Sequence, residues 1–93
     1  MTHCIIVKWL PNVDKADFAA EVRELFGNAT KVAGVLGVEI KENVIPRDNR
    51  YDLAIMLYMD KNALPTWDDS ALHKAWKAEF GKYIDKKCIF DYE

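Results

Sequence analysis

The chain opens on an apolar run, Thr2 to Leu10, whose two faces separate by the alternation of an extended backbone. His3, Ile5, Val7 and Trp9 share one face, while Cys4, Ile6 and Leu10 share the other, where Lys8 is the one clearly polar residue. A strand wetted on one side alternates more cleanly, so both faces of this one are expected to be covered. Pro11-Asn12 ends the run, because Pro cannot donate to a ladder and Asn favours turns. Asp14 then offers a helix N-cap with Asp17 in the acid-favouring first turn. Phe18, Val22, Leu25, Ala29 and Val32 follow at helical spacing as one apolar stripe, with Glu21, Arg23 and Glu24 on the exposed side.

Gly34 and Gly37 bracket a turn into a strictly alternating segment, Val38 to Val44, which reads as a half-wet edge strand. A polar hairpin loop over Pro46–Arg50 leads to Tyr51–Met59, a nearly unbroken apolar run that belongs inside the sheet. A helical turn over Lys61–Trp67 is broken by Pro65. Asp68-Asp69-Ser70 then caps a second helix from about Ser70 to Ile84, with Leu72, Trp76, Phe80, Tyr83 and Ile84 on its apolar stripe. Lys87–Tyr92 is the last strand. The order β-α-β-β-α-β predicts an α+β, ferredoxin-like sandwich, with an antiparallel sheet in spatial order 4-1-3-2 and both helices on one face. The opposite face is then left bare, and Cys4, Ile6, Leu10, Ala54, Met56, Tyr58, Cys88, Phe90 and Tyr92 fall there. An apolar patch of that size marks an interface, and a two-fold sheet-on-sheet homodimer is the simplest closure.

Composition narrows this picture. A chain of 93 residues forms one domain, 1–93, and buries about 60–65% of its unfolded surface. Three Trp, four Tyr and four Phe mean either an aromatic core or a surface that serves a partner. A formal charge of −2, with Lys and Arg scattered among Asp and Glu, argues against nucleic-acid binding. No apolar stretch approaches the roughly 20 residues of a membrane span, and the first residues lack the pattern of a signal peptide, so a cytoplasmic location is expected. Cys4 and Cys88 read as buried free thiols. There is no Gly-rich phosphate loop, nucleophile elbow or paired-Cys motif, and neither cofactor nor metal is expected.

The topology brings three ionisable side chains to one end of the sheet. His3 begins strand one, Asp91 ends the antiparallel strand four beside it, and His73 lies in the first turn of the second helix. A carboxylate that orients one imidazole, with another nearby, is equipment for proton transfer. The same three residues equally make a structural hydrogen-bonded cluster, and two His with one carboxylate is also a metal triad, here without close motif spacing. Leu25, Trp67, Trp76, Phe80 and Tyr83 are core residues or the lining of an apolar pocket between helices and sheet.

In order and spacing, the segments His3-Cys4-Ile5-Ile6-Val7-Lys8-Trp9, Val35-Leu36-Gly37-Val38, Tyr51-Asp52-Leu53-Ala54-Ile55, Trp67 through His73, and Ile89-Phe90-Asp91-Tyr92 resemble the stress-responsive A/B barrel (Dabb) family. The resemblance covers essentially the whole chain. It implies a homodimer whose two sheets form a barrel. Most members have no assigned reaction, and one relative closes a polyketide ring with a Tyr and a His near the start of the second helix. His73 matches that His, Trp67 stands where the Tyr would be, and the family's His-Pro-x-His reads Ser70-Ala71-Leu72-His73 here. The expectation is a small homodimeric barrel protein that takes up a small hydrophobic or aromatic molecule. The alternatives are a cyclase- or isomerase-like proton-transfer enzyme using His73 with His3 and Asp91, and a structural or partner-binding module.

Overall fold

A computed structural model describes residues Met1–Glu93. The elements are β1 (Thr2–Trp9), α1 (Lys15–Phe26), β2 (Val35–Glu42), β3 (Leu53–Met59), α2 (Leu64–Asp69), α3 (Ala71–Phe80) and β4 (Ile84–Tyr92), with short 3-10 turns at Ala29–Lys31, Lys61–Ala63 and Gly81–Tyr83. The four strands form one antiparallel sheet in the order β2-β3-β1-β4, and this is the ferredoxin-like α+β sandwich expected from the order of elements.

Pairing register sorts the side chains into two sets. Ile5 lies between Ile55 and Ile89, and His3 between Leu57 and Asp91, all on the helix side. Cys4 lies between Met56 and Phe90, and Ile6 between Ala54 and Cys88, on the helix-free side. The core fills the space between sheet and helices with Ile5, Val7, Trp9, Val22, Phe26, Leu53, Ile55, Leu57, Met59, Trp67, Trp76 and Phe80. Its centre is a chain of rings. Trp9 meets Phe18 at 5.2 Å and Phe80 at 6.1 Å, and Trp76 meets Phe80 and Phe26, both at 5.3 Å.

Several boundaries differ from the sequence pattern. The stripe Phe18-Val22-Leu25 continues to Ala29 and Val32, yet α1 stops at Phe26. Gly27 closes the helix, its N–H reaching the Arg23 carbonyl, and Ala29 is buried from a separate 3-10 turn. Beyond it Gly34 holds φ +86°, and a β-carbon there would lie 2.4 Å from the Ala63 methyl, so both backbone and space require glycine. β2 therefore starts at Val35 rather than Val38, and its last residue is Glu42 rather than Val44.

The expected second helix divides in two. Pro65 does not break a turn but sits in the first turn of α2, where its missing N–H costs nothing. Ser70, extended at ψ 150°, ends α2 by donating its hydroxyl to the Trp67 carbonyl at 2.7 Å, and caps α3 by accepting the His73 N–H at 3.1 Å. The helix ends at Phe80 rather than Ile84. β4 accordingly starts at Ile84 rather than Lys87, pairing Trp9 across a register shift after Lys8.

Asp52 organises that irregular end of the sheet. Its N–H donates to the Val7 carbonyl at 2.8 Å, and its carbonyl accepts the Asn43 N–H at 2.9 Å. Its side chain accepts the Trp9 N–H at 2.8 Å and pairs with Lys15 of α1 at 2.9 Å. One residue thus supplies partners where the regular ladder stops.

β4 is an edge strand whose residues beyond Ile84 are all exposed. Ile89 (45% exposed), Phe90 (62%) and Tyr92 (44%) stand on it. Cys88 is exposed as well, which corrects the expectation of two buried thiols; Cys4 alone is buried. No helix is long and apolar enough to cross a membrane.

Candidate functional site

His3 is held by β1 with its side chain 8% exposed, and its Nδ1 bonds the Asp91 carboxylate of β4. Register alone dictates the pair, since the two residues are direct cross-strand partners on the helix face. A carboxylate is only an acceptor, so Nδ1 carries a proton in this arrangement.

His73 occupies the first turn of α3, where the Ser70 cap receives its backbone N–H. Its ring Nδ1 lies 2.9 Å from the Asp68 carbonyl, which can only accept. Nδ1–H is therefore the donor, and a neutral His73 keeps its lone pair on Nε2. The ring lies 5.7 Å from that of Trp67. His73 thus bonds back across the α2–α3 junction, and no hydrogen bond links it to His3 or Asp91, whereas convergence of all three was expected from the topology. No group of three or more His, Cys, Asp or Glu residues is arranged to hold a metal ion.

The five aromatic and apolar candidates divide. Trp67 and Trp76 are core residues, 0% and 2% exposed, and the rings of Phe26, Trp67 and Trp76 occupy the space beneath the helices. The Trp67 Nε1–H is buried there without a hydrogen-bond partner. Leu25 and Tyr83, with the outer edge of the core residue Phe80, line an outward-facing cleft of about 590 Å³, together with Phe18, Glu21, Glu24, Asn28 and Glu79. Phe18 is the organising ring, edge-on to Tyr83 at 5.0 Å and to Phe80 at 5.7 Å. Sequence reasoning named three of the lining residues and missed the rest. The signal was available in the spacing, because Phe18, Glu21, Leu25 and Asn28 run along one line of the α1 region at intervals of three and four.

On the helix-free face, Tyr58 donates its hydroxyl to Glu39. That bond holds the Glu39 carboxyl below its usual range, with Lys41 adding to the effect, and it pushes the Tyr58 phenol up. Burial pushes the Cys4 thiol up, and the nearby Cys88 adds to this. Lys8, on the same face, donates to the backbone carbonyl of Asp48 in the β2–β3 loop.

No family model matches the sequence, and no curated protein matches it. Solved structures do. A dimeric protein of unknown function with a ferredoxin-like fold from Bacteroides fragilis superposes with a TM-score of 0.83 at 15% identity, over 99% of this chain and 93% of that one. A Dabb family protein with a ferredoxin-like fold from Mesorhizobium loti gives a TM-score of 0.72 at 14% identity, over 99% and 93% of the two chains. A hydroxynitrile lyase from Passiflora edulis gives 0.75 at 13% identity, over 98% and 89%. At these identities the likeness is one of fold, and the chain shares its ferredoxin-like architecture with dimeric proteins of unknown function.

Proposed function

We propose that the chain works as a two-fold homodimer of the A/B barrel type, closed through the helix-free face of the sheet, and binds a small apolar or aromatic molecule on each subunit. The observation that carries the dimer is the distribution of apolar surface. Ile6, Met56 and Tyr58 on the central strands are only half covered, and Phe90 and Tyr92 beside them are exposed, although the helix face of the same sheet is filled. A face like this is costly to leave in water, at about 25 cal/mol per Å² of apolar area. The dimeric state of the similarly folded proteins supports a dimer here. For the ligand, support comes from the cleft of Phe18, Leu25, Phe80 and Tyr83, since the space beneath the helices is occupied by Trp67 and Trp76.

Light scattering at micromolar concentration should give twice the chain mass, with an interface of roughly 1,600 Å² or more. Ile6→Asp should yield monomers, whereas Lys74→Glu on the exposed side of α3 should not; a monomeric parent protein sinks the reading. Indole added to labelled protein should shift the NMR signals of Phe18 and Tyr83 saturably, and shifts spread evenly over the surface would remove the cleft from consideration.

The second reading is proton-transfer catalysis of the cyclase or isomerase type by His73, with His3 and Asp91 as a separate oriented pair. It is favoured by the Nδ1–H to Asp68 bond, which leaves Nε2 of His73 as the acceptor a general base requires. The Passiflora hydroxynitrile lyase is an enzyme of the same fold, and this supports the reading only by analogy. Binding of a β-keto acid that perturbs the His73 imidazole and is lost in His73→Ala is the expected result.

A further inference from the structure

At the end of the sheet organised by Asp52, the β2–β3 loop encloses a groove of about 190 Å³ whose lining is polar apart from Pro46. Four cations face it, Lys8, Lys15, Arg47 and Arg50, against the carboxylates of Asp48 and Asp52. Asp52 is already spent on the Trp9 N–H and on Lys15. Lys8 and Arg50 are held only by neutral acceptors, the Asp48 carbonyl and the Asn49 side chain, and neither they nor Arg47 forms a salt bridge with any carboxylate. The charge does not end there. Lys86 of β4 is the direct cross-strand partner of Lys8 on the same face, and like charges placed opposite one another repel. Positive groups therefore outnumber carboxylates in this groove by four to two, and Asp48 is the one carboxylate there not already paired.

A second cavity of about 210 Å³ adjoins this groove and shares Lys15, Asn43, Pro46 and Asp52 with it. Its remaining lining is mainly apolar, from Trp9, Ala19, Val44 and Leu53, and the one other carboxylate, Glu42, is paired with Arg23. The two cavities form one amphipathic groove, cationic at the loop and apolar toward α1.

We propose that this groove binds a small organic anion, an oxyanion head received by Arg47, Arg50 and Lys8 and an apolar body laid against Val44 and Leu53. Guanidinium forks match the paired oxygens of phosphate or carboxylate, and the neighbouring apolar wall rewards a hydrocarbon substituent on that head. The site goes beyond the function proposed above. It shares no residue with the α1–α3 cleft and does not depend on it.

Phenyl phosphate, benzoate and inorganic phosphate titrated into the native protein test this by NMR and calorimetry. Phenyl phosphate or benzoate should saturate with a Kd near or below about 1 mM, shifting the amides of residues 43–52. The double variant Arg47→Ala/Arg50→Ala should weaken that binding about tenfold or more. Both side chains lie in the loop and form no salt bridge, and the bonds from the Arg47 and Arg50 backbone N–H groups and from Lys8 to the Asp48 carbonyl survive their removal, so the variant retains its fold. Val44→Ser, which removes apolar contact without adding charge, should weaken phenyl phosphate while sparing inorganic phosphate. Failure of both organic anions to saturate overturns the proposal, as does inorganic phosphate binding as tightly as phenyl phosphate. It is likewise overturned if the double variant binds normally, or if it only loosens the dimer, which would assign these cations to a second copy of the chain.

Discussion

Asp91, 39% exposed on the outermost strand, bonds His3, 8% exposed on the strand beside it, so a buried imidazole is anchored by a carboxylate that water can reach. Removing the carboxylate leaves a buried ring nitrogen unpaired. Asp91→Ala should therefore cost about 1–3 kcal/mol in urea denaturation, and Asp91→Asn, which still offers an amide oxygen, should cost less. Equal stability of the alanine variant and the parent would show that the pair contributes nothing net.

His73→Ala separates the two readings of its site. The imidazole bonds only the Asp68 carbonyl at the partly exposed α2–α3 junction and rests on Trp67. A loss of about 1 kcal/mol or less is expected, with the dimer intact. A large fall in melting temperature would instead mark His73 as a structural strut.

Gly34→Ala should destabilise strongly, by about 2–4 kcal/mol, because it adds the strain of a left-handed backbone to a clash with Ala63. Shortening the neighbour cannot relieve the backbone part, so Gly34→Ala/Ala63→Gly should recover only some of the loss in a thermal melt.

Tyr58→Phe should let the Glu39 carboxyl rise toward its ordinary range. The pair stabilises the fold above the unfolded carboxylate's pKa and loses that contribution as pH falls through the depressed Glu39 value. At the alkaline end the contribution is present below the normal phenol range and is lost as pH rises through the raised Tyr58 value. A carboxyl-carbon NMR titration of Glu39 that moved by nothing on removing the hydroxyl would contradict the assignment.

Thiol labelling probes the helix-free face. Cys4 pairs with Phe90 and Cys88 with Ile6, so the two cysteines are diagonal neighbours and both stay reduced. In an Ile6→Asp monomer, Cys88 should react well before Cys4, whose thiol burial holds in its protonated form. In the native dimer both should be slow. Rapid labelling of Cys88 in the parent protein would place that face in solvent.

The linear sequence by itself determined the order of elements, the identity of the edge and central strands, and the meeting of His3 and Asp91 at one end of neighbouring strands. Those features depend on local periodicity and on a side-chain repeat of two, which any β-α-β-β-α-β chain must satisfy in nearly one way. Helix ends were less legible. The apolar stripe of α1 runs on past Phe26 because the following 3-10 turn buries Ala29 in the same core, and periodicity cannot distinguish one helix from two pieces aimed at one target. Ser70 read correctly as a cap, but that it also terminates α2 depends on where the Trp67 carbonyl falls. Only the tertiary structure decided the site. Whether Trp67 and Trp76 line a pocket or fill it is a question of volume, and volume is set by neighbours far away in sequence such as Phe26. His73 was expected beside His3, yet its ring turns to the Asp68 carbonyl, a bond available only once α2 and α3 have separated. The groove of Lys8, Arg47 and Arg50 was equally invisible, because scattered basic residues become one charge centre only when β1, β4 and the loop are brought to the same end of the sheet.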